Sequence, residues 1–199
     1  MDDIVRRAMA RWPDVPAVYG WLQLDERGRW LIKGDPIANP VVKAFIDRNY
    51  QHDNQGRWYF QNGPQQVFVQ LAYTPYVCRI WPGDKGTLMA ETHTGLLVNR
   101  PQQGWLDDSG GMLIECEHGI GCVESHSLAV LADAVCLADG TPLDEHRLNT
   151  WLNDEHLAGT AQLIWNDRRL PIAVIRRRDV PSRFGFDPSP QPPAGASLC

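Results

Sequence analysis

Two stretches of this sequence, about 84 positions apart, repeat the same order of residue types, and this internal repeat constrains the fold most strongly. Each stretch begins with Gly-Trp-Leu, at 20–22 and at 104–106, and continues into an Asp-x-x-Gly turn, at 25–28 and at 107–110. In such a turn the Asp side chain binds nearby backbone and the Gly supplies the positive φ that closes a hairpin. The apolar pair Leu-Ile follows each turn. The repeat therefore predicts two similar units that each start with a β-hairpin.

A helix is predicted at the same place in both copies, after the hairpin. Residues 40–49 begin with a proline behind Asn39, which is typical of a capped helix N-terminus. Residues 126–136 have a serine cap and one apolar face. A third helix, at 142–153, interrupts the second copy.

Further strands complete each copy. Asn62-Gly63 in the first copy and Asn166-Asp167 in the second have the composition of hairpin turns. A third Asp-x-x-Gly turn, at 53–56, is expected to lead from the first helix into a strand. The strands predicted around these turns, with one further strand in the first copy, lie at 58–61, 65–73, 76–81, 160–165 and 169–177. We therefore predict an α+β protein of two similar, mostly antiparallel, strand-rich halves.

The predicted domain boundaries follow from composition. Pro- and Gly-rich segments interrupt the middle of the chain, and the last residues are rich in Pro, Ser, Gly and Ala, which is typical of disorder. We predict an N-terminal helix or extension at 1–16, a first α+β repeat at 17–81, a connecting segment at 82–103, a second repeat at 104–186 and a disordered tail at 187–199.

Charge and composition argue against several classes of protein. The net charge is −5 at pH 7, whereas dedicated DNA-binding domains are usually strongly basic, so nucleic acid is not an expected partner. No apolar run approaches the roughly 18 residues of a membrane span, so no membrane association is expected. The N-terminus lacks the apolar stretch of a secretory signal, and the five scattered cysteines do not suit a disulfide framework. We therefore expect a cytoplasmic protein with free thiols.

One short segment brings together residue types that bind zinc. They are Cys116, His118, Cys122 and His126. A two-residue turn at 119–120 would place the two thiols on opposite faces of a hairpin, and a three-residue loop at 119–121 would place them on one face. Zinc motifs place paired cysteines two to four residues apart, unlike this pair. We predict an ordinary hairpin without metal, and the register stays open.

The sequence contains no recognisable catalytic motif. It has no nucleophile elbow, no phosphate-binding loop and no dinucleotide-binding glycine pattern. Its six histidines form no pattern of a base beside a nucleophile. No catalytic residue and no cofactor is predicted. An enzymatic role stays open, although the lack of these motifs argues against it.

Aromatic and polar side chains of both halves are candidates for a ligand site. In the first strand Val18 and Leu22 alternate with Tyr19 and Trp21, so one face is aliphatic and the other is aromatic. Aromatic rings beside Arg, Gln and Asn side chains could stack on and hydrogen-bond a planar ligand. The same rings would also suit a second core face under a helix. The candidate ligand-binding residues are Trp21, Trp30, Arg57, Trp58, Gln61, Asn62, Arg79 and Arg176.

The arginines at 176–178 stand in a basic segment that follows an acidic one. Residues 105–167 contain 12 acidic residues and one basic residue, and residues 168–183 contain six arginines. Alternation along a strand predicts that Arg176 is half-buried beside a carboxylate or an anionic ligand, and that Arg177 is more exposed.

Four stretches of the sequence point to a known family. They read WPDVP at 12–16, YGWL at 19–22, GRWYFQNGPQ at 56–65 and RFGF at 183–186. Together they resemble an uncharacterised proteobacterial family of unknown function. Residues 20–80 are more distantly similar to domain of unknown function 1285, through the order hairpin, Gly-Asp-Pro-Ile, helix, strand pair and Thr-Pro-Tyr-Val. That resemblance implies a duplicated α+β core, a second half loosely like a pleckstrin-homology fold, a ligand groove between the halves and a role in signalling.

The sequence thus predicts a non-enzymatic, small-ligand-binding or regulatory module. Its ligand would be anionic or nucleotide-like and would bind between the two halves. One alternative is a protein-interaction or assembly module, including a homo-oligomer, that uses exposed strand edges or the surface of Arg176–Arg178. Another is an enzyme with an unrecognised site. The expected partner is accordingly an unidentified small molecule or protein.

Overall fold

Asp-x-x-Gly turns close three hairpins of the chain. The computed structural model describes residues 1–12, 15–142 and 161–193. In each turn the Asp carboxylate accepts hydrogen bonds from the backbone amides two and four residues ahead. The glycines at 28, 56 and 110 have φ values of +73°, +73° and +79°, which glycine adopts at little cost. The turn at 53–56 joins two paired strands, so the prediction that it leads from a helix into a strand is wrong.

The first unit consists of Met1–Pro75 and Pro181–Cys199. Its six strands lie in the order β3-β2-β1-β6-β5-β4, and every neighbouring pair is antiparallel except β1–β6. Its elements are α1 (Asp3–Arg11), β1 (Val18–Leu24), β2 (Trp30–Ile32), β3 (Asp35–Pro36), α2 (Pro40–Arg48), β4 (Tyr50–His52), β5 (Trp58–Asn62) and β6 (Gln65–Leu71).

The second unit consists of Tyr76–Val180. Its eight strands lie in the order β12-β13-β14-β9-β10-β11-β7-β8, and the pairs β9–β14 and β7–β11 are parallel. Its elements are β7 (Tyr76–Pro82), β8 (Leu88–Thr92), β9 (Gln103–Asp107), β10 (Met112–Cys116), β11 (Gly119–Val123), α3 (Leu128–Ala132), β12 (Val135–Leu137), β13 (Ala161–Trp165) and β14 (Arg168–Ile175). The helix α4 (Val180–Phe184) begins at the last residue of this unit and continues into the first.

The strand order confirms two similar halves in an α+β protein. If β1 to β6 are matched in order with β9 to β14, the sequence β3-β2-β1-β6-β5-β4 becomes β11-β10-β9-β14-β13-β12, which is the order observed in the second sheet. Each matched pair also has the same direction, including the single parallel pair at the centre of each copy. The strands β7 and β8 extend the second sheet beyond this shared core.

The boundary between the units lies between Pro75 and Tyr76, and the predicted boundary at 82–103 is wrong. The strand β7 pairs with β11 and β8, which places it in the second sheet, whereas the predicted first repeat at 17–81 includes it. Parallel pairing between β7 and β11 joins residues about 45 positions apart, and such pairing leaves no local sequence signal. The predicted connecting segment contains strand β8.

The helices predicted at 40–49, 126–136 and 142–153 have different outcomes. The helix α2 agrees with its prediction, and the Asn39 side chain accepts a hydrogen bond from the Val41 amide at 2.9 Å. The helix expected at 126–136 is only the short α3, preceded by a 3₁₀ turn and followed by β12. The helix expected at 142–153 lies almost wholly outside the described residues.

The start of the predicted disordered tail is held to the first unit. The Asp187 amide donates to the Gly56 carbonyl oxygen at 3.0 Å, and the Leu71 amide donates to the Pro188 carbonyl oxygen at 2.8 Å. Pro190 is buried as well. Backbone pairing and prolyl burial therefore order residues 187–190, whose composition had suggested disorder; the last six residues lie outside the described range. We call residues 185–190 the C-terminal strap.

Candidate functional site

A bulge in β1 shapes one cavity of the first unit. Between Val18 and Leu22, β1 has two more residues than the facing part of β6. Gly20 lies within this bulge at φ +72°, a conformation that a side chain would strain. Because the bulge interrupts the alternation of side chains, Trp21 and Leu22 both contact the cavity although they are neighbours in sequence. The predicted separation of Trp21 onto an aromatic face is therefore wrong.

The cavity lies between helix α2 and one face of the sheet, and its volume is about 560 Å³. Roughly 300–1,000 Å³ is usual for small-molecule pockets. Eight of its ten lining residues are apolar and two are polar. They are Val18, Trp21, Leu22, Ile32, Val42, Ile46, Phe60, Asn62, Gln65 and Val67.

The floor and the mouth of the cavity differ in exposure. Leu22, Ile46 and Phe60 are buried and form its floor. Trp21 and Ile32 keep 41% and 45% of their surface exposed, although both are large and apolar. When a ligand fills a cavity with a buried apolar floor and an exposed apolar rim, the apolar surface of the rim is buried away from water, which favours binding.

The two polar lining residues lie together at one end. Asn62 and Gln65 are directly paired across the tight turn between β5 and β6. The Gln65 side-chain amide donates to the Pro16 carbonyl oxygen at 3.2 Å, while the Asn62 side chain is exposed. This end of the cavity offers amide groups for hydrogen bonds, and the rest offers apolar contact.

A lysine outside the lining contacts Trp21. The Lys33 ammonium lies 3.8 Å from the centroid of the Trp21 ring, within the range of a cation–π interaction. The Lys33 backbone amide donates to the Trp21 carbonyl oxygen at 2.9 Å. Lys33 is one of two non-glycine residues with positive φ among the described residues.

The structure brings two of the eight sequence candidates, Trp21 and Asn62, into this cavity. Trp30 and Trp58 are buried in the core of the first unit, and the Trp30 indole donates to the Asp47 carboxylate at 2.7 Å. Gln61 is fully buried, and its amide nitrogen donates to the Gly63 carbonyl oxygen at 2.9 Å. Trp30 and Trp58 are therefore core residues, which is the alternative to ligand binding that the sequence left open for the aromatic rings.

The candidate arginines Arg57 and Arg79 are each paired with carboxylates away from the cavity. Arg57 lies 2.7 Å from the Asp53 carboxylate and over the Phe68 ring. Arg79 belongs to the second unit, where it lies 3.3 Å from Glu124 and 3.9 Å from Glu91.

The expected roles of Arg176 and Arg177 are reversed. Arg176 is exposed, and Arg177 is half-buried with its guanidinium 3.8 Å from the fully buried Asp107 carboxylate. The Arg177 amide also donates to the Asp108 carboxylate at 2.8 Å. The prediction fails because β14 ends at Ile175 and the chain turns into a 3₁₀ segment, so strand alternation no longer applies.

The hairpin at 115–126 has a register that differs from both expected ones. Cys116 pairs with Gly119 and Leu113 pairs with Cys122, so the loop is 117–118 and the thiols point to opposite faces. Both cysteines are buried, and burial raises the pKa of the Cys116 thiol. Within the described ranges no group of three or more His, Cys, Asp or Glu side chains could hold a metal ion. The absence of metal in the native protein stays a prediction.

Most lining residues were missed because aliphatic side chains in strands are ordinarily core residues. One local signal was Gly20, since a glycine inside a strand pattern favours a bulge. Lys33-Gly34 offered a second signal, because a lysine before glycine at a hairpin turn requires an uncommon conformation.

Comparison with known proteins gives a family and a fold. The family model DUF2944, described as "Protein of unknown function (DUF2946)", matches residues 1–191. A crystal structure of a DUF1285 family protein from Silicibacter pomeroyi is similar over 88% of this chain and 97% of its own, with 15% identity and a TM-score of 0.54. A DUF1285 family protein from Shewanella baltica covers 53% of this chain and 84% of its own, with 17% identity and a TM-score of 0.40. No curated protein matches the chain.

The family match confirms the resemblance to an uncharacterised family. The similarity to the Silicibacter pomeroyi structure shows a shared fold. In the part of the chain that the structure describes, no helix is long and apolar enough to cross a membrane.

Proposed function

Since the chain belongs to the DUF2944 family, whose function is unknown, we propose a function from the site itself: the first unit is a small-ligand-binding module. The cavity between α2 and the sheet takes one small molecule with an apolar body. The observation that carries this proposal is a concave, mostly apolar cavity of about 560 Å³ whose rim exposes Trp21 and Ile32.

The lining favours binding over catalysis. None of the ten described lining residues has a side chain that titrates near neutral pH, whereas catalytic sites usually contain such groups with perturbed pKa values. The polar pair Asn62 and Gln65 can orient a ligand through hydrogen bonds without transferring a proton.

The proposed cavity changes the site expected from the sequence. Only Trp21 and Asn62 remain from the candidate ligand-binding set, and the bulk of the ligand contacts aliphatic side chains. We retain a regulatory role in the cytoplasm as part of the proposal. The free buried thiols support the cytoplasmic location, since cytosolic thiols are kept reduced, and the resemblance described above supports the regulatory role.

A cavity-filling substitution tests this function. Val67 is half-buried and lines the cavity, so Val67→Phe should place a ring in the space that the ligand needs. The matched control is Val174→Phe, since Val174 lies partly exposed on β14, the counterpart of β6. We expect the neutral fluorescent probe N-phenyl-1-naphthylamine to bind wild type and the control with one molecule per chain, and to bind Val67→Phe at least about tenfold more weakly. Equal binding to all three proteins, or no binding to wild type, would contradict the proposal.

A second candidate function is docking of a protein, including a second copy of this chain. Val41 on α2 is 74% exposed, and its neighbour in sequence, Val42, is exposed as well. Trp21 and Ile32 are the exposed apolar residues of the cavity rim. Val41 does not line the cavity, so Val41→Ser should leave binding of the probe unchanged. If sedimentation shows an oligomer that Val41→Ser dissociates, docking is favoured; a monomer at all concentrations argues against self-association.

A further inference from the structure

We propose that the ligand of this cavity is a single-chain carboxylate amphiphile, whose head group binds Lys33 beside Trp21 and whose apolar chain fills the cavity. This inference rests on the proposed function and adds the chemical class of the ligand. Three observations carry it: the backbone conformation of Lys33, the position of its ammonium group, and the lack of an ion pair between Lys33 and any carboxylate of the described residues.

Lys33 occupies a position that is costly for a lysine. It forms the turn between β2 and β3 with Gly34, and the two residues have φ values of +50° and +91°. Turns of this kind strongly favour Asn-Gly, since a lysine side chain is strained at positive φ. Strain of this kind is found most often where the side chain has a function.

The strained turn places a positive charge against Trp21, an exposed lining residue of the apolar cavity. The Lys33 ammonium lies over the face of the Trp21 ring, and Trp21 lines the cavity. The ring contacts only one side of the ammonium group, which has three N–H donors. Donors thus remain for an anionic group that extends past Trp21 from the cavity.

Nothing described in the protein neutralises this charge. The first unit pairs Arg29, Arg48 and Arg57 with carboxylates, whereas no carboxylate of the described residues forms an ion pair with Lys33. A lone cation beside an apolar cavity is complementary to a ligand with one negative charge and an apolar chain.

The number of cations decides between classes of anion. A nucleotide carries several negative charges and a polar sugar, and it would require further donors in a lining that has only Asn62 and Gln65 as polar residues. A monocarboxylate needs one ammonium group for its head and apolar surface for its chain. The geometry thus favours the carboxylate amphiphile over the nucleotide-like ligand expected from the sequence.

Displacement of N-phenyl-1-naphthylamine by decanoate and by decan-1-ol tests the inference. The two competitors have the same chain length and differ in the charge of the head group. Lys33→Asn removes the charge and suits positive φ, Lys33→Arg keeps the charge, and Arg27→Gln removes a charge from the exposed turn at the other end of β2. We expect Lys33→Asn to bind decanoate about tenfold or more weakly than wild type does. Lys33→Arg and Arg27→Gln should bind decanoate as tightly as wild type. Decan-1-ol should bind all four proteins equally.

The outcomes separate this inference from the proposed function. If wild type binds the fluorescent probe and Lys33→Asn binds decanoate as tightly as wild type does, the inference fails and the cavity function stands. If the probe does not bind at all, the proposed function fails. If wild type binds vesicles of phosphatidylglycerol in a Lys33-dependent way but does not bind free decanoate, the head group belongs to a membrane lipid and the inference is overturned.

Discussion

At the scale of single residues, Gly56 and Gly110 differ although they occupy the same position in two Asp-x-x-Gly turns. Both have positive φ, at +73° and +79°. A Cβ atom on Gly56 would fall on the backbone of Gly185, and a Cβ atom on Gly110 would contact nothing within 4 Å. Gly56 is therefore required twice, for its conformation and for the close approach of the C-terminal strap.

The two glycines allow a matched prediction. Gly110→Ala should lower the free energy of unfolding by about 1–2 kcal/mol, because alanine is strained at positive φ. Gly56→Ala should lower it by about 1–3 kcal/mol more, because the methyl group also displaces the strap. Urea denaturation of both variants measures the difference. Equal losses would mean that the strap yields without cost.

The half-buried carboxylate of Asp47 gives a prediction about pH. Burial raises the pKa of Asp47 above its ordinary value of 3.8, and the hydrogen bond from Trp30 offsets this only in part. The folded protein thus holds the Asp47 proton more tightly than the unfolded chain does, so this residue makes stability fall as the pH rises from about 3.8 through the raised pKa. Asp47→Asn keeps an acceptor for the Trp30 indole and removes the titration.

The test compares unfolding free energies of wild type and Asp47→Asn from pH 4 to pH 7. We expect the stability of the variant relative to wild type to increase with pH and then to reach a plateau. A difference that stays constant with pH would show that Asp47 has the same pKa in the folded and unfolded chains.

Local signals explain which single residues could be predicted. The Asp and Gly residues of the turns act within five positions, so the sequence was sufficient to place all three turns and to identify two of them as hairpins. The conflict at Gly56 involves Gly185, 129 positions away, and no local pattern contains it. The position of Trp21 likewise depends on how β1 pairs with β6, which a single strand does not reveal.

At the scale of elements, the end of β14 decides the roles of two neighbouring arginines. The chain leaves the strand after Ile175 and turns so that Arg177 approaches the β9–β10 hairpin. There its guanidinium lies 3.8 Å from Asp107, a carboxylate with no exposed surface. The same Asp107 also accepts hydrogen bonds from the Ser109 and Gly111 amides, so it holds both the turn and the segment after β14.

Alanine substitution of Arg177 should lower the free energy of unfolding more than alanine substitution of Arg176, which is the reverse of the order expected from strand alternation. Arg177→Ala should lower the free energy of unfolding by about 1–2 kcal/mol, because it leaves the buried Asp107 carboxylate without its guanidinium partner. Arg176→Ala should change it by less than about 0.5 kcal/mol, because Arg176 is exposed. Thermal melts of both variants measure this order, and a larger loss in Arg176→Ala would contradict it.

At the scale of the whole molecule, two copies of one strand order have different interiors. Trp21 and Ile32 are exposed at the rim of the cavity, whereas their sequence counterparts Trp105 and Ile114 retain only 7% and 1% exposure. Ile114 packs in a large apolar cluster of the second unit, together with Leu131 of α3 and Leu163 of β13. The duplicated pattern predicted that the two copies share one strand order, but it could not show which copy leaves these two side chains exposed, because that depends on how all the packed side chains fill the interior.

The first unit is also discontinuous, and this gives a prediction about truncation. A chain that ends at Val180 lacks the second segment of the first unit, whereas the second unit keeps all of its residues. The Leu71 amide would lose its acceptor on Pro188, and the buried Phe186 would be absent. We therefore expect amides of β5 and β6 to lose protection from hydrogen exchange, while amides of β9, β10 and β11 keep it.

A chain that ends at Pro193 is the matched control, because it retains every contact described for the C-terminal strap. It should exchange like the full chain, and it should bind N-phenyl-1-naphthylamine like the full chain, because the cavity belongs to the first unit. The chain that ends at Val180 should bind the probe more weakly, since β6 contributes Gln65 and Val67 to the cavity lining. Equal loss of protection in both units would mean that they unfold together, and unchanged protection in β6 would mean that the strap contributes nothing to the stability of the sheet that forms the cavity.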